Sequence, residues 1–176
     1  MLFSKHFTIG KRLWFAFAFL ISSYALVLLG LDRAVSGYLS GFGMLGAAVA
    51  GAFYTLGATT PFAMVVVLEL MKSGNALMVA MFACGAATAV DCYLFYAVRE
   101  TLAKNSRKLM GYMHKRFDGF RFAFPFAGFI VFGLPIPDEI GLALMEMTDI
   151  NLYKLAAVVF CAKFITLMAL WSWLGG

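Results

Sequence analysis

The chain has 176 residues, 63% of them hydrophobic and 13% charged, with a mean hydropathy of +0.89 and a formal net charge of +5. That composition excludes a soluble domain of ordinary surface-to-volume ratio. The basic residues gather at the amino terminus and in one central stretch instead of covering a face, which argues against nucleic acid as a partner. A helical crossing takes about 20 apolar residues, so the length allows a handful of membrane segments in a single domain, residues 1–176.

The amino terminus carries Lys5, Lys11 and Arg12, followed by an uncharged stretch from Leu13 to Leu31. This predicts a first span over 13–31, uncleaved, because the apolar run exceeds a signal-peptide core of about 7–15 residues and no small-x-small site follows it at once. From Ala34 to Leu68 no charge occurs, a length too great for one crossing and too small for two with a loop. Gly57, Thr59, Thr60 and Pro61 supply a break. The expected form is a helix of about five turns, an irregular apex, and a short helix to Met71. Gly37, Gly41, Gly43, Gly46 and Gly51 keep one flank of the first arm small, so helices can approach closely in lipid.

A second crossing is expected from Asn75 to Val98, carrying Asp91. The stretch 99–121 then holds Arg99, Lys104, Arg107, Lys108, Lys115, Arg116 and Arg121 against Glu100 and Asp118. By the positive-inside rule this loop and the amino terminus are cytoplasmic, in a cell membrane expected to be the prokaryotic inner membrane. Beyond it an apolar arm from Phe122 meets Gly133, Pro135, Pro137, Asp138 and Glu139, and a last segment runs from Leu155 to Leu174 with Lys163 near its centre.

Two cytoplasmic flanks require an even number of crossings between them, and the first span with Asn75–Val98 already makes two. The segment between them is therefore predicted to enter and leave on one side as a re-entrant hairpin, and 122–147 to do the same from the other. The expected fold class is an all-α polytopic membrane protein with about three full spans and two re-entrant hairpins arranged as an inverted repeat. A shift of 76 positions places Gly57 on Gly133, Pro61 on Pro137, Leu68 on Leu144 and Asn75 on Asn151.

Irregular backbone at membrane depth is tolerated only where protein shelters it or water lines it. Asp138 and Glu139 lie at such a point, where they would hold a proton, bind a cation or line a wet pocket, or where Asp138 would cap the following helix. Glu69 stands three residues before Lys72, which fits a local ion pair, and also fits a first-hairpin counterpart of the Asp138–Glu139 pair. Asp91 and Arg99 are two turns apart, the acid toward the bundle and the arginine toward the interface. Lys163 cannot easily reach either interface and calls for a carboxylate, with Asp138, Glu139 and Glu146 as the candidates. Cys84, Cys92 and Cys161 read as packing residues, and His6 and His114 have no ligand partner at metal spacing. Neither a metal nor a cofactor is expected. The phosphate-loop, nucleophile-elbow and zinc-protease signatures do not occur in the sequence, so no enzymatic role is expected.

Three elements resemble the DedA family, the VTT-domain membrane proteins, in a short and divergent form: the hairpin Gly57, Thr59, Thr60, Pro61 leading to Glu69; Gly85 to Asp91 followed by Phe95 and Arg99; and Pro135-Ile136-Pro137-Asp138-Glu139. The first hairpin lacks the family's glutamate before its proline, and the second half lacks its arginine cluster apart from Arg121. The resemblance implies lipid handling, in which a phospholipid or polyprenyl-phosphate carrier moves between leaflets as a flippase or scramblase does, with proton coupling. Membrane lipids, an anionic lipid phosphate and further copies of the chain are the expected partners. A proton-coupled small-ion or solute transporter and a non-transporting assembly factor are the alternatives that the residues leave open.

Overall fold

The structure is a computed structural model that describes residues 21–56, 59–105, 123–133, 138, 141, 142, 145 and 150–174. All regular structure among them is helical. Residues 21–28 are helical and end at Gly30, which adopts φ 71°. Then follow α1 (Leu31–Ser40), α2 (Met44–Thr55), α3 (Thr60–Ser73), α4 (Ala76–Asn105), α5 (Ala123–Gly133) and α6 (Leu152–Trp173), with residues 138, 141, 142 and 145 helical between the last two.

Two boundaries differ from the sequence expectation. The first arm is not one five-turn helix: it breaks between α1 and α2 at Gly43, whose φ of 57° carries the penalty for left-handed backbone in every residue with a Cβ. Helix α4 continues past Val98 to Asn105, into the basic stretch assigned to a loop, because Arg, Lys and Leu are good helix formers and cations suit a helix carboxyl end. Residues 13–20 of the expected first span and 106–121 of the central loop lie outside the described residues.

The expected break in the first hairpin is present. Helix α2 ends at Thr55, Leu56 turns extended with ψ 98°, and α3 opens at Thr60 with Pro61 in its first turn. There proline's missing N–H leaves no helical bond unmade. The Thr59 hydroxyl lies 2.7 Å from the Phe53 carbonyl and 3.0 Å from that of Leu56, so its one proton adds a side-chain bond to carbonyls that already accept from the Leu56 and Thr59 N–H groups. With 12 and 14 residues, α2 and α3 are about 18 and 21 Å long, each short of a bilayer core of about 30 Å.

Small residues set the helix spacing. A Cβ on Gly51 of α2 would overlap the backbone of Ala83 on α4, so glycine is what permits this contact. Ala47, Ala50, Ala80, Ala83 and Cys84 are buried in the same core, filled out by Val66, Val67, Leu70 and Met71 from α3 and Leu167 from α6. A second core joins Phe132 of α5, Leu142 and Met145 to Leu155, Val159 and Ala162 of α6, with Phe95 of α4 beneath.

The two halves correspond at the 76-position shift. Helix α4 starts at Ala76 and α6 at Leu152, each directly after an asparagine. Asn75 Oδ1 accepts from the Met78 N–H and Asn151 Oδ1 from the Tyr153 N–H, both at 3.3 Å, so both long helices begin under the same kind of cap. In the first half the shorter apolar helix α2 precedes the break at 56–59, and α5 is the shorter apolar helix of the second half, where residues 134–137 lie outside the described residues.

Two helical stretches, Ala76–Ala97 and Leu152–Trp173, are long and apolar enough to cross a membrane. The protein itself buries only 39% and 28% of their apolar windows, unlike the core helix of a soluble protein, and the remaining apolar surface faces outward.

Candidate functional site

Lys163 sits at the middle of α6, between Leu152 and Trp173, and is 1% exposed. An ammonium has three N–H donors and no acceptor. Nζ donates to Asp91 Oδ2 at 2.6 Å, to Asp138 Oδ2 at 2.6 Å and to Thr55 Oγ1 at 3.0 Å, which uses all three. The Tyr54 ring centroid lies 5.1 Å from Nζ, adding a cation–π contact.

Each partner comes from a different part of the fold. Asp91 lies on α4, Thr55 is the last residue of α2 at the break before α3, and Asp138 is one of the helical residues between α5 and α6. The Thr55 hydroxyl is 3.0 Å from the Ala87 carbonyl and 3.5 Å from Asp91 Oδ2. The shorter contact takes its single proton, leaving the oxygen to accept from Lys163. Ala87 is also the residue that the 76-position shift pairs with Lys163, so Thr55 bridges equivalent positions on the two long helices.

Asp91, Asp138, Thr55 and Tyr54 are all at most 1% exposed. Removing an ammonium and carboxylates from water costs several kcal/mol per ion, offset only by short contacts and fully used donors. The cluster meets that condition. Its weakness follows from the same fact: protonating either aspartate removes half of an ion pair that little solvent can replace. Among the described residues, the Tyr54, Thr60 and Thr88 hydroxyls are buried with no hydrogen-bond partner.

The structure brings together Asp91, Asp138 and Lys163 of the sequence candidates. Among the carboxylates considered for Lys163, Asp138 is a partner, and Asp91, expected only to face the bundle, is a second. Glu69 is elsewhere, at the far end of α3, paired with Lys72 at 2.7 Å in a half-exposed i,i+3 contact. Thr60 and Pro61 lie in the first turn of α3, and Gly133 is the last residue of α5. Gly57, Pro135, Pro137, Glu139 and Glu146 lie outside the described residues, and so does the side chain of Arg99. The sequence reading passed over Thr55 and Tyr54. A lone polar residue at the end of an apolar arm, two positions before the breaking Gly57, was the available signal.

No family model, curated protein or solved structure matches this chain.

Proposed function

We propose that the chain is an integral membrane transporter of DedA type, in which Asp91, Lys163 and Asp138 form a proton-sensitive latch between two re-entrant hairpins. Its cargo is a lipid, a phospholipid or a polyprenyl-phosphate carrier, moved between the leaflets of a prokaryotic cytoplasmic membrane. One observation carries the reading: a fully buried lysine at the centre of an apolar helix bonds at once to Thr55 at the end of α2, to Asp138 between α5 and α6, and to Asp91 on the other long helix.

If α6 spans the bilayer, Lys163 lies near its midplane and Thr55 and Asp138 reach that depth with it. The short lengths of α2 and α3 and the shared asparagine caps support paired hairpin-and-span halves, and the motif resemblance supports an inverted arrangement. In the closed latch the hairpin tips are held together. Protonation of Asp138 would weaken its bond to Lys163 and free the second tip to move, which couples a proton to exposure of the site.

The enclosure of the cluster by protein favours a second reading, a proton-coupled carrier of a small ion or solute. Reconstituted vesicles separate the two. With short-chain fluorescent phospholipid, wild-type protein is expected to exchange lipid between leaflets well above empty vesicles, and Asp138→Asn to lose that exchange. Folded protein that exchanges no lipid, polyprenyl phosphate included, contradicts the lipid reading. Proton-driven solute uptake that is abolished by Asp138→Asn while lipid distribution stays unchanged selects the second.

A further inference from the structure

The molecule has a second polar concavity, remote from the latch. A cleft of about 360 Å³ lies between α1 and the last turns of α3, lined by Arg33, Ser36, Ser40, Glu69, Lys72 and Ser73. We infer that this cleft binds a phosphate group, presented by a lipid headgroup at the membrane surface.

Its charges favour an anion. Lys72 is paired with Glu69, whereas Arg33 makes no ion pair among the described residues, so the lining carries one positive charge in excess. The adjacent acid, Asp32, is buried and does not line the cleft. A guanidinium presents a planar fork that matches two phosphate oxygens, and Lys72 adds a point charge on the opposite wall. The serine hydroxyls of Ser36, Ser40 and Ser73 donate at present to carbonyls of their own helices at 3.1, 2.7 and 3.0 Å, and each can rotate toward an acceptor that enters.

The surroundings point to a lipid as the bearer of that phosphate. Helix α1 buries polar Asp32 and Ser36, while apolar Leu31 and Tyr38 face outward alongside Arg33 and Ser40. Beside them Tyr38 and Phe42, 72% and 53% exposed, meet edge to face with centroids 5.3 Å apart, an interfacial aromatic pair of the kind found at headgroup level. The other wall ends at Ser73, just before the Asn75 cap from which the apolar stretch Ala76–Ala97 begins. The cleft therefore opens where a membrane surface would meet α4. This inference uses the membrane reading above but not the latch.

Native mass spectrometry of the full chain in detergent tests it, with dioleoylphosphatidylglycerol, dioleoylglycerol and inorganic phosphate as probes. The phosphate-bearing lipid is expected to bind and the diacylglycerol not. Arg33→Gln is expected to weaken binding by about tenfold, as loss of a charge-assisted contact does, and Lys72→Gln to weaken it less. Glu69→Gln is expected to strengthen binding, because it frees Lys72 and removes a negative charge; a merely structural role would not give opposite signs. Inorganic phosphate binding with the same order of variants, while the lipid does not bind, overturns the headgroup assignment. Lipid binding that is equal in all variants overturns the site. Leaflet exchange by Arg33→Gln is expected at the wild-type level, so failure of the cleft and failure of the transport reading are seen separately.

Discussion

Lys163 and Lys72 hold carboxylates at nearly the same distance, 2.6 Å and 2.7 Å, and their settings make them different devices. Lys72 is 53% exposed and bonds to a neighbour one helical turn away, so water stands ready to replace Glu69 at little cost. Lys163 is enclosed, and its carboxylates lie 72 and 25 positions away along the chain. Breaking the first pair rearranges one side chain, while breaking the second separates pieces of the fold. An ion pair becomes a switch when solvent cannot substitute for either partner and when its members sit on elements able to move apart.

Substitutions can sharpen or break this contrast. The largest effect is expected for Lys163→Met, which strands two buried carboxylates and should lower stability by about 3–5 kcal/mol, read by denaturant titration of helicity in micelles. Adding Asp91→Asn and Asp138→Asn to it should recover much of that loss, since the uncompensated charges are then gone. Next is Asp138→Asn alone, which keeps the shape and one acceptor and should cost about 2–3 kcal/mol, together with loss of transport. Thr55→Val removes one acceptor for Lys163 and one donor to Ala87 and should cost about 1–2 kcal/mol. The smallest effect is expected for Lys72→Met, at most about 1 kcal/mol and shrinking further with added salt. If Lys72→Met proves as damaging as Lys163→Met, burial is not what distinguishes the two lysines.

Much of this arrangement could be read along the chain. The break near Pro61 was visible because proline and glycine act locally, and Lys163 announced a buried partner because a charge in the middle of an apolar helix has few alternatives. The 76-position correspondence was visible through the few residues that composition does not make common, and its asparagines turned out to be helix caps. What stayed hidden depends on tertiary approach. Asp91 meets Lys163 only because α4 and α6 lie side by side, and Thr55 joins them only because Gly51 lets α2 press against α4. The turn at Gly43 was missed for a different reason. In a run rich in glycine, positions that keep a helix face small and one that reverses the backbone look alike until φ is known.

The depth of the latch is the claim on which the transport reading stands, and the protein supplies a native probe for it. Cys161 is exposed on α6, two residues from Lys163, and replacing Cys84 and Cys92 with alanine leaves it as the one thiol to label. A nitroxide on Cys161 in a reconstituted bilayer, compared for collisions with oxygen and with a water-soluble nickel complex, reports its depth. The account predicts high oxygen and low nickel accessibility, placing the label near the bilayer centre. Free access of the nickel complex would put Lys163 outside the membrane core and contradict it.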